Sequence, residues 1–152
     1  MLPYHLDHVF SYSATLHPPE VIGPVPEGIR VNFHVSGGEV TGPKLFGRVR
    51  PVGADWLTIR TDGVGILDVR ATLETPDGGL LHAAYQGVVD LGEDGYARFL
   101  AGQVGGTLRL TTWPRIQSAH PGSRWLTRLP LLGIGSADLE RLIVRYDVYA
   151  VR

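Results

Sequence analysis

Hydrophobic and polar residues alternate with a period of two along most of this chain, the pattern of half-buried strands. Over residues 4–15, Tyr4, Leu6, His8, Phe10, Tyr12 and Ala14 fall on one face of an extended segment and His5, Asp7, Ser11 and Ser13 on the other, with Val9 out of phase. Ile29, Val31, Phe33 and Val35 then alternate with Arg30, Asn32, His34 and Ser36, and this strand is expected to end at Gly37-Gly38. The proline-rich stretch between them reads as a loop with a short strand at Val21–Ile22. From Lys44, the residues Lys44, Phe46, Arg48 and Arg50 alternate with Leu45, Gly47 and Val49, which makes one face of that strand basic. A solvated outer wall is the ordinary fate of such a face; an anion-attracting rim is the alternative.

Three Asp-Gly pairs follow, at Asp62-Gly63, Asp77-Gly78 and Asp94-Gly95. Asp-Gly suits tight hairpin turns that need positive φ, so the spacing predicts a meander of strands over 54–61, 64–75, 79–89 and 97–103. A further strand runs from Thr107 and is expected to stop at Pro114, residues 123–128 have room for one helical turn, and the remainder forms a closing hairpin in which Leu142, Val144, Tyr146, Val148 and Ala150 share a face. Eight to ten strands joined largely by short turns, with at most one short helix, predict an all-β single domain over residues 1–152. A closed antiparallel β-barrel is favoured because closure removes exposed strand edges.

Turn length fixes register. If Asp62-Gly63 and Asp77-Gly78 are both two-residue turns, Asp55, Arg70 and Tyr85 form one row across three adjacent strands, and Asp68 lies in the neighbouring row with Leu57 and Gly87. A one-residue bulge in either hairpin voids the row. Two assignments of the faces compete. In one, the row is an outward cross-strand ion pair; in the other, it lines a cavity, where a carboxylate serves as general base or acid and Arg70 with Tyr85 stabilises an enolate or alkoxide. On the second assignment Asp55, Arg70 and Tyr85 are the catalytic candidates, and Trp56, Asp68 and Lys44 the ligand contacts.

Composition narrows the function classes. Fourteen Lys and Arg against fifteen Asp and Glu give a net charge of -1, which does not suit a broad nucleic-acid surface. Cysteine is absent, removing thiolate chemistry, disulfides and Cys-ligated zinc. The six histidines show no metal-ligand spacing, and there is no GxSxG elbow or dinucleotide fingerprint. No signal peptide is evident and no apolar run approaches the length of a membrane helix. The expectation is a cytoplasmic protein without cofactor, binding a small organic molecule and forming a homodimer or higher homo-oligomer, with no nucleic-acid or membrane partner. A non-catalytic carrier or sensor barrel and a structural oligomer with a filled interior remain the alternatives.

The stretch GGEVTGPKLFGRVRPVGADWLTIRTDGVGILDVRATLETPDGG, residues 37–79, resembles the signature region of the domain-of-unknown-function family DUF3237, also catalogued as UPF0311. Its motifs stand at Gly37-Gly38, Gly42 to Leu45, Gly53 to Trp56, Asp62-Gly63, Leu67 to Arg70 and Asp77-Gly78, and the ending from Arg145 to Val151 is similar too. The resemblance implies a small barrel related to the allene-oxide-cyclase and dirigent type, with some relatives presumed cyclases in natural-product pathways. It marks Asp55, Trp56, Asp68 and Arg70 as family positions and favours the cavity assignment. Ala71 stands where relatives often carry Tyr, which implies a different substrate shape here.

Overall fold

Alternation produces strands over most of the chain. The computed structural model describes residues 1–152 and contains β1 (Leu6–Leu16), β2 (Glu20–Val25), β3 (Gly28–Thr41), β4 (Gly47–Ile59), β5 (Val64–Glu74), β6 (Leu80–Asp90), α1 (Gly95–Leu100), β7 (Thr107–Gln117), β8 (Leu131–Asp138) and β9 (Ile143–Val151). A short 3-10 turn spans Arg124–Arg128. All pairings are antiparallel, β3 through β9 pair in sequence order, and β9 pairs with β1. Pairing of β1 with β3 closes the ring into an eight-stranded barrel, with β2 added at the side.

The long strand β3 makes this closure possible. Gly28 to Asn32 pairs with β2, and Val35 to Thr41 pairs with β1. The strand therefore does not end at Gly37-Gly38 as expected. Instead the ladder to β4 is interrupted between His34 and Gly38, and the glycines let two backbones meet closely: a Cβ on Gly38 would lie 2.0 Å from the Ser13 carbonyl oxygen.

Alternate residues from all eight strands fill the interior, where Phe10, Ile29, Ile59 and Leu81 are fully buried. Val9 is out of phase because a bulge lies between His8 and Phe10. Leu126, from the 3-10 turn, is fully buried in the same core and anchors the connection between β7 and β8. Replacing it by Ala is expected to cost about 2–5 kcal/mol, read as a lower urea midpoint.

Two further sequence expectations are corrected. The strand expected over 97–103 is absent, and its first residues belong to α1, Gly95–Leu100: Tyr96 and Phe99, three apart, both pack on the core, a helical spacing, and Arg98 Nε reaches Asp94 Oδ1 at 3.1 Å. Strand β7 continues past Pro114 to Gln117. Its pairing with β8 stops at Thr112, so at Pro114 only the β6 side is paired, and a missing N–H is tolerated there.

Candidate functional site

The Asp-Gly pairs at Asp62-Gly63 and Asp77-Gly78 both close three-residue loops. Arg60 N donates to Val64 O and Gly63 N to Arg60 O, while Thr75 N donates to Gly79 O and Gly78 N to Thr75 O. Gly63 (φ 84°) and Gly78 (φ 86°) take the left-handed position that ends such loops. The register is therefore one residue away from the two-residue expectation at each turn, and the second shift reverses the first. Asp55 pairs with Val69, and Val69 with Tyr85. The row is Asp55, Val69, Tyr85.

Arg70 is the correction that matters most. It pairs with Ala54 and Ala84 and points out of the barrel, where it bonds Asp68 at 2.5 Å and lies over the Trp56 ring at 5.8 Å. Asp68 and Trp56 are on this outer face as well. Lys44 is also outside, 3.5 Å from Asp7, and Arg48 and Arg50 both reach Glu74. Neither face assignment survives whole: the interior takes Asp55, Leu57 and Ile59 from β4 and Leu81, Ala83 and Tyr85 from β6, but Leu67, Val69, Ala71 and Leu73 from β5.

Inside, Asp55 shares the middle of the barrel with three tyrosines. Tyr12 on β1 and Tyr146 on β9 are direct cross-strand partners, stacked with ring centroids 5.1 Å apart. Tyr85, from across the interior, makes a 2.5 Å hydrogen bond between its hydroxyl and that of Tyr12 and meets Tyr146 edge-on at 5.9 Å. Beside this layer is a cavity of about 80 Å³ lined by 23 residues, of which 22 are hydrophobic and Asp55 is the exception. A water takes roughly 30 Å³ and a buried apolar cavity of roughly 150 Å³ holds benzene, so this space suits a few waters or a very small organic molecule unless the apolar wall gives way.

The carboxyl has little to compensate its charge. Burial lifts its pKa to about 7, Asp68 N–H opposes the rise by donating to Oδ1 at 2.9 Å, and the Asp68 carboxylate adds to it. That N–H is available because β4 and β5, in constant register from Gly53 to Ile59, make no ladder pair at Trp56 and Leu57. Burial also pushes the hydroxyls of Tyr12, Tyr85 and Tyr146 upward, with the Asp55 charge contributing in each case; they are neutral donors at ordinary pH. No cationic side chain lines the cavity, and no three His, Asp or Glu side chains converge as a metal site requires.

Asp55 and Tyr85 share a row as the turn spacing predicts, whereas no sequence motif singles out Tyr12 and Tyr146. Their signal was present: each is a hydroxyl-bearing residue on the apolar face of an alternating strand, between Phe10 and Ala14 in one and Val144 and Val148 in the other. Only the pairing of β1 with β9 shows that they meet.

Fold and site together define a closed β-barrel with a small apolar interior bearing one weakly acidic carboxyl and a tyrosine layer. The chain belongs to the family described as Protein of unknown function (DUF3237), whose profile matches residues 4–151. A UPF0311 protein of Rhodopseudomonas palustris is 26% identical over 146 residues, covering 95% of this chain and 94% of the relative. The crystal structure of a conserved protein of unknown function from the same species superposes with a TM-score of 0.87 at 24% identity over the whole of both chains. That of an enzyme from Penicillium herquei gives 0.70 at 17% identity, covering 100% of this chain and 97% of the other.

Proposed function

We propose that the barrel binds a small, largely apolar organic molecule in its interior and acts on it by proton transfer, with Asp55 as the base and Tyr85 as hydrogen-bond donor to the oxygen that gains charge. The observation that carries this reading is the Asp55 carboxyl, the one charged group in a cavity otherwise lined by aliphatic and aromatic side chains, with three tyrosines but no cation among them. A carboxyl with a pKa near 7 is suited to abstract and return a proton at neutral pH. In the Tyr12–Tyr85 pair one hydroxyl donates to the other, so the accepting partner keeps a proton to offer a ligand oxygen. With no cation in the cavity, a neutral ligand fits better than a carboxylate or phosphate. A passive carrier gains nothing from an uncompensated carboxyl. The Penicillium herquei barrel that is described as an enzyme indicates that this architecture accommodates catalysis. Isomerisation, ring closure and hydration all lie within reach of such a site, and none of them calls for a cofactor.

The test uses 3-cyclohexenone, a compact neutral ketone with an acidic C–H between its carbonyl and its alkene. Asp55 removes a proton from the carbon between carbonyl and alkene, Tyr85 donates a hydrogen bond to the resulting dienolate oxygen, and the proton returns at the far alkene carbon to give 2-cyclohexenone. Ultraviolet absorbance should show an accelerated rate that rises with pH through about 7, disappears with Asp55→Asn, and falls on the order of 10²-fold with Tyr85→Phe. A rate unchanged by Asp55→Asn, or an Asp55 carboxyl titrating near 4 by NMR, would overturn the reading.

A further inference from the structure

The outward cluster of Trp56, Asp68 and Arg70 lies on the outer face of the wall where Asp55 sits on the inner. Trp56 immediately follows Asp55 on β4, and Asp68 supplies the one N–H that the Asp55 carboxylate accepts. The β4–β5 pairing at this point lacks the register pairs expected between Asp55–Val69 and Thr58–Ile66, so side chains bridge the strands instead. On the inner face the bridge is the Asp55 carboxylate on the Asp68 N–H. On the outer face it is the Arg70 guanidinium, which bonds Asp68 Oδ1 at 2.5 Å and lies over the Trp56 ring at 5.8 Å. One residue, Asp68, belongs to both bridges, through its backbone on one side and its carboxylate on the other.

We infer that Trp56, Asp68 and Arg70 form an exterior staple that positions the Asp68 N–H on Asp55 and so sets the protonation midpoint of the interior carboxyl. The inference rests on the reading of Asp55 as the proton-transfer group and adds three positioning residues that touch no ligand. β6 holds Asp68 on one side and the pairs Asp55–Val69 and Thr58–Ile66 flank it on the other; without the staple the unpaired step between them loses its outer brace, and the N–H that the carboxylate accepts is held less closely. Loss of a hydrogen bond to the charged form raises a carboxyl pKa. Removing Arg70 acts in the same direction a second time, because it leaves the Asp68 carboxylate without its cation, and like charge disfavours ionisation of Asp55. The other titratable groups facing Asp55 are Tyr12, Tyr85 and Tyr146; their hydroxyls stay protonated across the range concerned.

The experiment needs no substrate. Asp55 is titrated by carbon-detected NMR in the full chain, and the Asp68 amide, which should report the same titration, is followed alongside. Arg70→Gln is expected to raise the Asp55 midpoint by about one pH unit. Trp56→Leu, which leaves every charge in place, should raise it by a smaller amount and weaken the titration seen at the Asp68 amide. Trp56→Phe keeps a ring beneath the guanidinium and should restore both, and it serves as the folded comparison if Trp56→Leu does not fold. Midpoints unchanged in Arg70→Gln and Trp56→Leu, with only thermal stability lowered, would reduce the cluster to ordinary surface packing and overturn the inference. A wild-type midpoint near 4 would instead sink the proton-transfer reading itself, so the two failures are distinguishable.

Discussion

Asp55→Asn is expected to stabilise the barrel at pH 8 while removing the proposed proton-transfer chemistry. In the unfolded chain an aspartate titrates near 3.9, whereas in the barrel burial holds the Asp55 midpoint up at about 7. Below both values the two states carry the same proton and the group has no effect on stability. As pH rises from about 4 to 7, the unfolded chain releases its proton while the folded one retains it, so stability falls through that window. Above 7 the loss is complete, roughly 4 kcal/mol at 1.36 kcal/mol per pH unit. Asparagine has no charge to bury, and its side-chain oxygen can still accept the Asp68 N–H. Urea denaturation should show the variant more stable by a few kcal/mol at pH 8 and close to wild type at pH 4. Parallel pH profiles for the two proteins would contradict the placement of this carboxyl.

Gly53→Ala should be the most damaging single-methyl change in the site wall. Gly53 has φ 94°, in the region that disfavours residues with a side chain, and it ends the interruption in the β4–β5 ladder between Val49 and Gly53. A Cβ there would lie 2.1 Å from the Arg70 carbonyl oxygen, a backbone atom that cannot rotate aside. Strain and clash together should cost about 3 kcal/mol or more and move Asp55, two residues along. Gly78→Ala is the internal control: its φ of 86° is similar, but nothing lies within 4 Å of the added carbon, so it should cost only about 1 kcal/mol. Equal urea midpoints for the two variants would show that the close approach at Gly53 is not a real constraint.

The strands were legible because alternation is a local property. Ile29 to Val35 and Leu142 to Ala150 place their apolar residues on one face without reference to the rest of the chain. Register was not legible, because Asp-Gly serves equally well as a two-residue turn and as the end of a three-residue loop. Thr61-Asp62-Gly63 and Pro76-Asp77-Gly78 both took the longer form. Since the two errors cancel across β5, Asp55 and Tyr85 stayed in one row while Arg70 gave way to Val69. The helix at Gly95 was hidden behind a turn motif used elsewhere in the chain as a hairpin. The tyrosine layer was out of reach for a different reason: no local pattern states that β1 and β9, at opposite ends of the fold in sequence, lie side by side.

That seam between β1 and β9 makes assembly of the site an all-or-nothing event. A partly folded chain in which β4, β5 and β6 have already formed their hairpins carries Asp55 and Tyr85 on an open sheet, where the carboxyl is wet and behaves as an ordinary acid. The seam is a long-range contact, slow to form because its loop-closure entropy must be met before any reward. When it does form, Tyr12 and Tyr146 arrive together, the interior dries, and the carboxyl changes character at the same moment that the hydroxyl pair is completed. The proposed proton transfer would thus be confined to molecules that have closed the barrel.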